Sequence, residues 1–178
     1  MSTEEKINRV MKEIGGNGPF QKWAFIMYAF STSSIGFVLY DLGYLELMPT
    51  FVCSSATNPS YTCKEVDFCN VQGVSYSIDW SSPDSLHNWV EKLGLICKPS
   101  WQVGLIGSAM FTGWTLTLLW LPQFGDKYGR WKIFFISNIA NLALYTVLML
   151  SHNLWLTVGA LFFIGCLESI RISIGYNY

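Results

Sequence analysis

Polar and apolar positions fall into long blocks along the chain instead of alternating. Three stretches carry no Asp, Glu, Lys or Arg: residues 23–40 (18 residues), 99–125 (27) and 133–167 (35). An α-helix needs about 20 mostly apolar residues, at about 1.5 Å each, to cross a hydrocarbon core of roughly 30 Å. The longest stretch exceeds one crossing, and Ser151-His152-Asn153 breaks it with turn-forming polar groups. The pattern predicts four membrane helices, over residues 22–48 (Pro49 being the first residue to stop the helix), 101–122, 133–150 and 154–178.

Residues 1–21 are too polar for a secretory signal, opening with Ser2-Thr3-Glu4-Glu5. Ser2 and Glu5 have capping-box spacing, and Ile7, Val10, Met11 and Ile14 recur on one helical face. A short amphipathic helix is expected, ended by Gly15-Gly16 and lying either in the membrane interface or against the rest of the protein.

Composition agrees with the pattern. Charged residues make up 13% of the chain, about half the roughly 25% of a soluble domain, and the mean hydropathy is +0.32. A net charge of −1 without a basic stripe excludes a nucleic-acid partner, and 16% aromatic residues exclude a disordered chain. The cations are placed asymmetrically. Lys6, Arg9, Lys12 and Lys22 precede span one, and Lys127, Arg130 and Lys132 lie between spans two and three. Residues 49–100 hold only Lys64, Lys92 and Lys98 against five acids. The positive-inside rule then places both termini and the 123–132 link in the cytoplasm, with 49–100 outside.

Four of the five cysteines, Cys53, Cys63, Cys69 and Cys97, fall in that outer loop. An even number in an oxidising compartment reads as two disulfides, in any of three connectivities. Their spacing has no C-x-x-C pair of the zinc type, so no metal is expected. Cys166 is left as a free thiol in span four. Asp41 and Glu46, near the outer end of span one, read as a solvated helix end or as carboxylates at a cavity mouth that attract cationic solutes. Trp23, Trp101 and Trp120, near span ends, fit an interfacial aromatic belt. Span four holds Glu168 and Arg171, three residues apart on one helical face. Charges inside a membrane need a partner or a wet cavity, so the two are expected to pair, with Arg171 either snorkelling to the inner surface or serving a functional cavity. No catalytic triad, phosphate loop or metal cluster emerges, which points to a non-enzyme without a cofactor.

The link between spans two and three reads Gly125-Asp126-Lys127-Tyr128-Gly129-Arg130-Trp131-Lys132. It resembles the signature loop of the major facilitator superfamily, with Asp126, Lys127, Gly129 and Arg130 on the pattern and Pro122 where the leading glycine usually stands. In that family the loop's Asp and Arg belong to an ionic network that locks the two halves of a transporter. The Gly15–Gln21 entry segment, the large cysteine-bearing loop and Leu95-Ile96-Cys97 followed by Trp101 resemble the organic cation, organic anion and carnitine transporter branch. Arg171-x-x-x-Gly175 resembles the superfamily's fourth-helix element, which implies a coupling or substrate role for Glu168 and Arg171.

The resemblance implies an all-α membrane protein, the first part of a twelve-helix fold that moves small organic ions by alternating access. Its partners are the lipid bilayer, the transported ion and other membrane subunits, and the plasma membrane is the expected location. The sequence reaches Tyr178 within span four. Two expectations follow: the N-terminal part of a transporter, inactive at this length, or a non-transporting subunit of a larger membrane complex.

Overall fold

The structure, a computed structural model, describes residues 3–13, 18–55, 60–120 and 129–175. Its elements are α1 (Thr3–Glu13), α2 (Pro19–Leu45), β1 (Phe51–Ser54), β2 (Tyr61–Cys63), α3 (Glu65–Phe68), β3 (Ser75–Ile78), α4 (Trp89–Lys92), α5 (Ser100–Trp120), α6 (Arg130–Leu150) and α7 (Leu154–Gly175). Four helices, α2, α5, α6 and α7, are long and apolar enough to cross a membrane. The chain is a multi-pass membrane protein.

Local chemistry sets where each span begins and ends. Pro19 opens α2 three residues ahead of the expected start, because its missing N–H costs nothing in the first turn. The helix stops at Leu45 instead of running on to Met48. Glu46 N–H still reaches Leu42 O at 3.1 Å, but Leu47 N–H closes a tighter turn on Tyr44 O. Gly129, at φ 87°, turns the chain into α6 in a conformation that suits glycine. Between α6 and α7, Ser151 N–H caps Val147 O, and Asn153 Oδ1 accepts from Trp155 N–H at 2.9 Å.

α7 is the hub of the bundle. It packs along α5 and α6 and more lightly on α2. Half of its most apolar window is buried, against 11% for α2 and 17% each for α5 and α6. Between α5 and α7 the backbones touch. A Cβ added to Gly113 would collide with the Phe162 carbonyl oxygen, and one added to Gly165 with that of Met110. Helices in lipid gain little by hiding apolar surface from one another, so such small-residue contacts supply the dispersion that holds them.

The outer loop is a small folded unit, which the helical pattern did not anticipate. Its antiparallel sheet has the order β2-β1-β3, with Phe51 opposite Cys63 on one side and Ile78 on the other. Phe51, Cys53, Cys63 and Phe68 form its core, and Phe68 stacks on Tyr76 at 4.1 Å. Cys53 bonds Cys63, and Cys69 bonds Cys97. The rest of the loop seals the bundle's end, with Val90, Leu93 and Leu95 joining the main core. Asn88 Nδ2 donates to Tyr44 O and Leu47 O, and Lys92 Nζ donates to Met149 O. These bonds take up carbonyls at or just past the ends of α2 and α6.

α1 forms as its periodicity predicts. Ile7 and Val10 on its apolar stripe are 57% and 50% exposed, so the described residues leave them largely uncovered.

Candidate functional site

Polar side chains from three spans meet inside the bundle. α7 contributes Glu168 and Arg171, which are 0% and 4% exposed. α2 contributes Ser31 and Ser34. From α6 come Asn138, Asn141 and Tyr145, spaced to share one helical face. Ser31 and Asn141 lie close to halfway along α2 and α6, and Glu168 and Arg171 in the last third of α7.

Arg171 is the centre of the network. Its Nη1 donates to Glu168 Oε1 at 2.5 Å, its Nε to Ser31 Oγ at 2.6 Å, and its Nη2 to Ser34 Oγ at 3.0 Å. Nη2 also donates to the Ser31 carbonyl. The guanidinium therefore turns inward against α2 and does not snorkel to the surface. Ser31 Oγ in turn donates a hydrogen bond to Asn138 Oδ1 at 2.9 Å. Glu168 Oε1 also accepts from Asn141 Nδ2 at 2.6 Å and lies 3.4 Å from the Tyr145 hydroxyl. An intramembrane ion pair survives only when its remaining donors are satisfied, and here neutral oxygens from α2 do so.

Sequence reasoning found Glu168 and Arg171 but missed Ser31, Ser34, Asn138, Asn141 and Tyr145. The signal was the run of hydroxyls Ser31-Thr32-Ser33-Ser34 and the two asparagines, polar groups in otherwise apolar spans. Thr32 and Ser33 bond back to Tyr28 O and Ala29 O in their own helix; Ser34 likewise donates to Ser31 O, yet its hydroxyl and that of Ser31 also accept from Arg171 on α7.

One surface groove reaches the cluster and another lies away from it, beside the outer loop. The first, about 380 Å³, runs between α2 and α6 past Asp41, Phe37 and Trp89 to Ser34 and Tyr145. The other, about 690 Å³, lies where the loop meets α2 and α5, lined by Glu46, Glu65, Lys98 and the Cys69–Cys97 disulfide. Asp41 is exposed, as expected of a solvated helix end. Glu46 is not solvated in that way: its Oε1 is buried without a partner among the described residues, and burial pushes its carboxyl above the ordinary range. Out in the loop, hydrogen bonds from the Ser81 hydroxyl and amide hold Asp79 below that range.

Of the signature loop, Asp126 and Lys127 lie outside the described residues, as does Pro122. Gly129 and Arg130 open α6, at its cytoplasmic end in the expected topology. The first three residues of the Gly15–Gln21 entry segment also fall outside them. Cys166 is the free thiol among the described cysteines.

A bundle of membrane helices enclosing a charge pair defines a class of integral membrane protein, and the comparisons refine it locally. No family model matches the chain, and no solved structure matches it. A protein of Arabidopsis thaliana described as a probable peptide/nitrate transporter is 30% identical over 67 residues. That segment is 38% of this chain and 14% of the relative's length.

Proposed function

We propose that the chain forms the N-terminal part of a major-facilitator-type transporter of small organic ions, working by alternating access in the plasma membrane with both termini cytoplasmic. The observation that carries this reading is the buried Glu168–Arg171 pair, tied by hydrogen bonds to the middle of α2 and α6. Soluble-like packing has no use for such a pair, and intramembrane ionisable residues mark transport pathways. In transporters built from repeated helix bundles, the substrate site lies near the midplane where two bundles meet. The local similarity to a transporter supports the same class. Within this reading Asp126, Lys127, Gly129 and Arg130 form the gating loop between spans two and three. Glu168 and Arg171 serve coupling or substrate contact, and membership of the organic cation, anion and carnitine branch rests on the sequence resemblance.

Four spans make one incomplete bundle, so the chain by itself is not expected to move solute. Reconstituted in liposomes, it should give no saturable uptake of organic cations, organic anions or carnitine-like zwitterions. Transcripts containing this sequence should continue in frame past the Tyr178 codon into eight further spans. A stop codon there would replace the proposal with a non-transporting membrane subunit, and saturable uptake lost on Arg171→Ala would make the short chain a carrier.

A further inference from the structure

Two acceptors inside the α2–α6–α7 cluster meet no donor among the described residues: Glu168 Oε2 and Asn141 Oδ1. Both side chains are essentially inaccessible, at 0% and 1% exposed. Their other halves are already joined, since Asn141 Nδ2 donates to Glu168 Oε1 at 2.6 Å. A carboxyl group and a primary amide that share one N–H···O bond and lie in one plane have a complementary O–H···O position, which closes a ring between them. A carboxylate leaves that position empty, because both of its oxygens only accept. One proton on Oε2 fills it and satisfies both unpartnered atoms at once. Turning the amide over does not help: it takes the donor away from Oε1 and sets oxygen against oxygen.

We propose that Glu168 and Asn141 form an intramembrane proton-binding site, in which Glu168 carries the proton on Oε2 and donates it to Asn141 Oδ1. Hydronium gives up the proton and leaves as water, and no other bond changes. The ionisable groups facing the site are Arg171 from α7 itself and Tyr145 from α6. α2 brings the hydroxyls of Ser31 and Ser34, and α5 carries no ionisable side chain. Protonation leaves Arg171 its bonds to Ser31 and Ser34 and to Glu168 Oε1 as a carbonyl. It moves the net charge of the pair from zero to one positive. The site depends on this local geometry and stands whether or not the chain is part of a transporter.

Infrared difference spectroscopy of the purified chain in lipid nanodiscs, titrated from neutral to acid pH, reads the proton directly. A carbonyl-stretch band of protonated carboxyl is expected that shifts with isotopically labelled glutamate. Glu168→Gln, whose amide supplies a permanent N–H donor to Asn141, should keep the helical circular dichroism and remove one carboxyl from that band. Asn141→Leu should move the same band to higher frequency, because the carbonyl loses a donor. An unchanged band in Glu168→Gln, or an unmoved band in Asn141→Leu, would overturn the site. So would the lack of any protonated-glutamate band while the chain stays folded. If Glu168→Gln fails to fold, the labelled wild type and Asn141→Leu decide the matter alone.

Discussion

Adding one methyl group at Gly113 is expected to drive α5 off α7. A Cβ there meets the Phe162 carbonyl oxygen head-on and stands 3.1 Å from its carbon and 3.2 Å from Cys166 N. The same change at Gly165 meets the Met110 carbonyl oxygen and stands 3.2 Å from Met110 Cα. Both obstacles are backbone, so no side-chain rotation relieves them. Restoring a carbon–oxygen contact of about 3.3 Å needs the helices to part by on the order of 1 Å. A gap of that size forfeits roughly a quarter to a half of the dispersion between facing groups. Those groups include Ile106, Met110, Leu161 and Ile164, all 0% exposed. Overpacking costs about 1–3 kcal/mol, and rigid backbone on both sides puts each substitution near the top, about 3 kcal/mol. A single displacement relieves both collisions, so Gly113→Ala with Gly165→Ala should cost little more than either alone. Gly104→Ala and Gly159→Ala, where the new Cβ meets nothing within 4 Å, serve as controls on the same two helices. Stability is read by steric trapping in bicelles, and opening of the seam by the alkylation rate of Cys166, which is free and half-buried. Gly113→Ala within about 0.5 kcal/mol of Gly104→Ala, the scatter of ordinary surface changes, would refute the seam.

Other expectations follow from the charge pair, the loop and the flanks. With Glu168 ionised, Arg171→Leu strands its charge and should cost about 3–5 kcal/mol, most of it recovered when Glu168→Leu is added, measured by the same trapping assay above the pH at which Glu168 takes up its proton. Alkylation of unreduced protein should modify one cysteine, Cys166, by intact mass. Opening the Cys69–Cys97 bridge, which closes 28 residues, should cost more than opening Cys53–Cys63, which closes 10, about 3.6 against about 2.7 kcal/mol by loop entropy. Glu46 binds its proton more tightly folded than unfolded, so stability should fall as pH rises from the ordinary carboxylate value to its raised one. Glu46→Gln should flatten that stretch of the melting-temperature profile. Single cysteines placed at residues 126–132 of a cysteine-free variant should resist impermeant thiol reagents in sealed right-side-out vesicles, and rapid labelling there would reverse the topology.

The spans were legible because a membrane imposes a length and an absence of charge, both of which are counted directly along the sequence. Their ends were less so: α2 begins at Pro19 and stops at Leu45 through turn hydrogen bonds that hydropathy does not register. The sheet was hidden for a different reason. Its strands are three or four residues long, too short to establish an alternation, and two disulfides supply what a larger core would otherwise provide. Glu168 and Arg171 stood out because charge is rare in a span. Ser31 and Asn141 did not, because a serine or asparagine in a membrane helix can bond to its own backbone. Only the rotation of α2 and α6 about α7 decides which hydroxyls also meet a neighbouring helix.

The central place of α7 also bears on how the bundle comes to exist during synthesis. α2, α5 and α6 make few contacts with one another, while each packs on α7, and α7 follows them all in chain order. At about 5–20 residues per second, the first span waits in the bilayer on the order of 10 s before its main partner is made. Through that interval the earlier helices are independent spans, free to drift or to be bound by insertion chaperones. They carry no mid-membrane charge that needs neutralising, because both members of the ion pair arrive together on α7. Assembly is thus a single late event, and a lesion that delays the entry of α7 would act on all four helices while leaving the first three inserted.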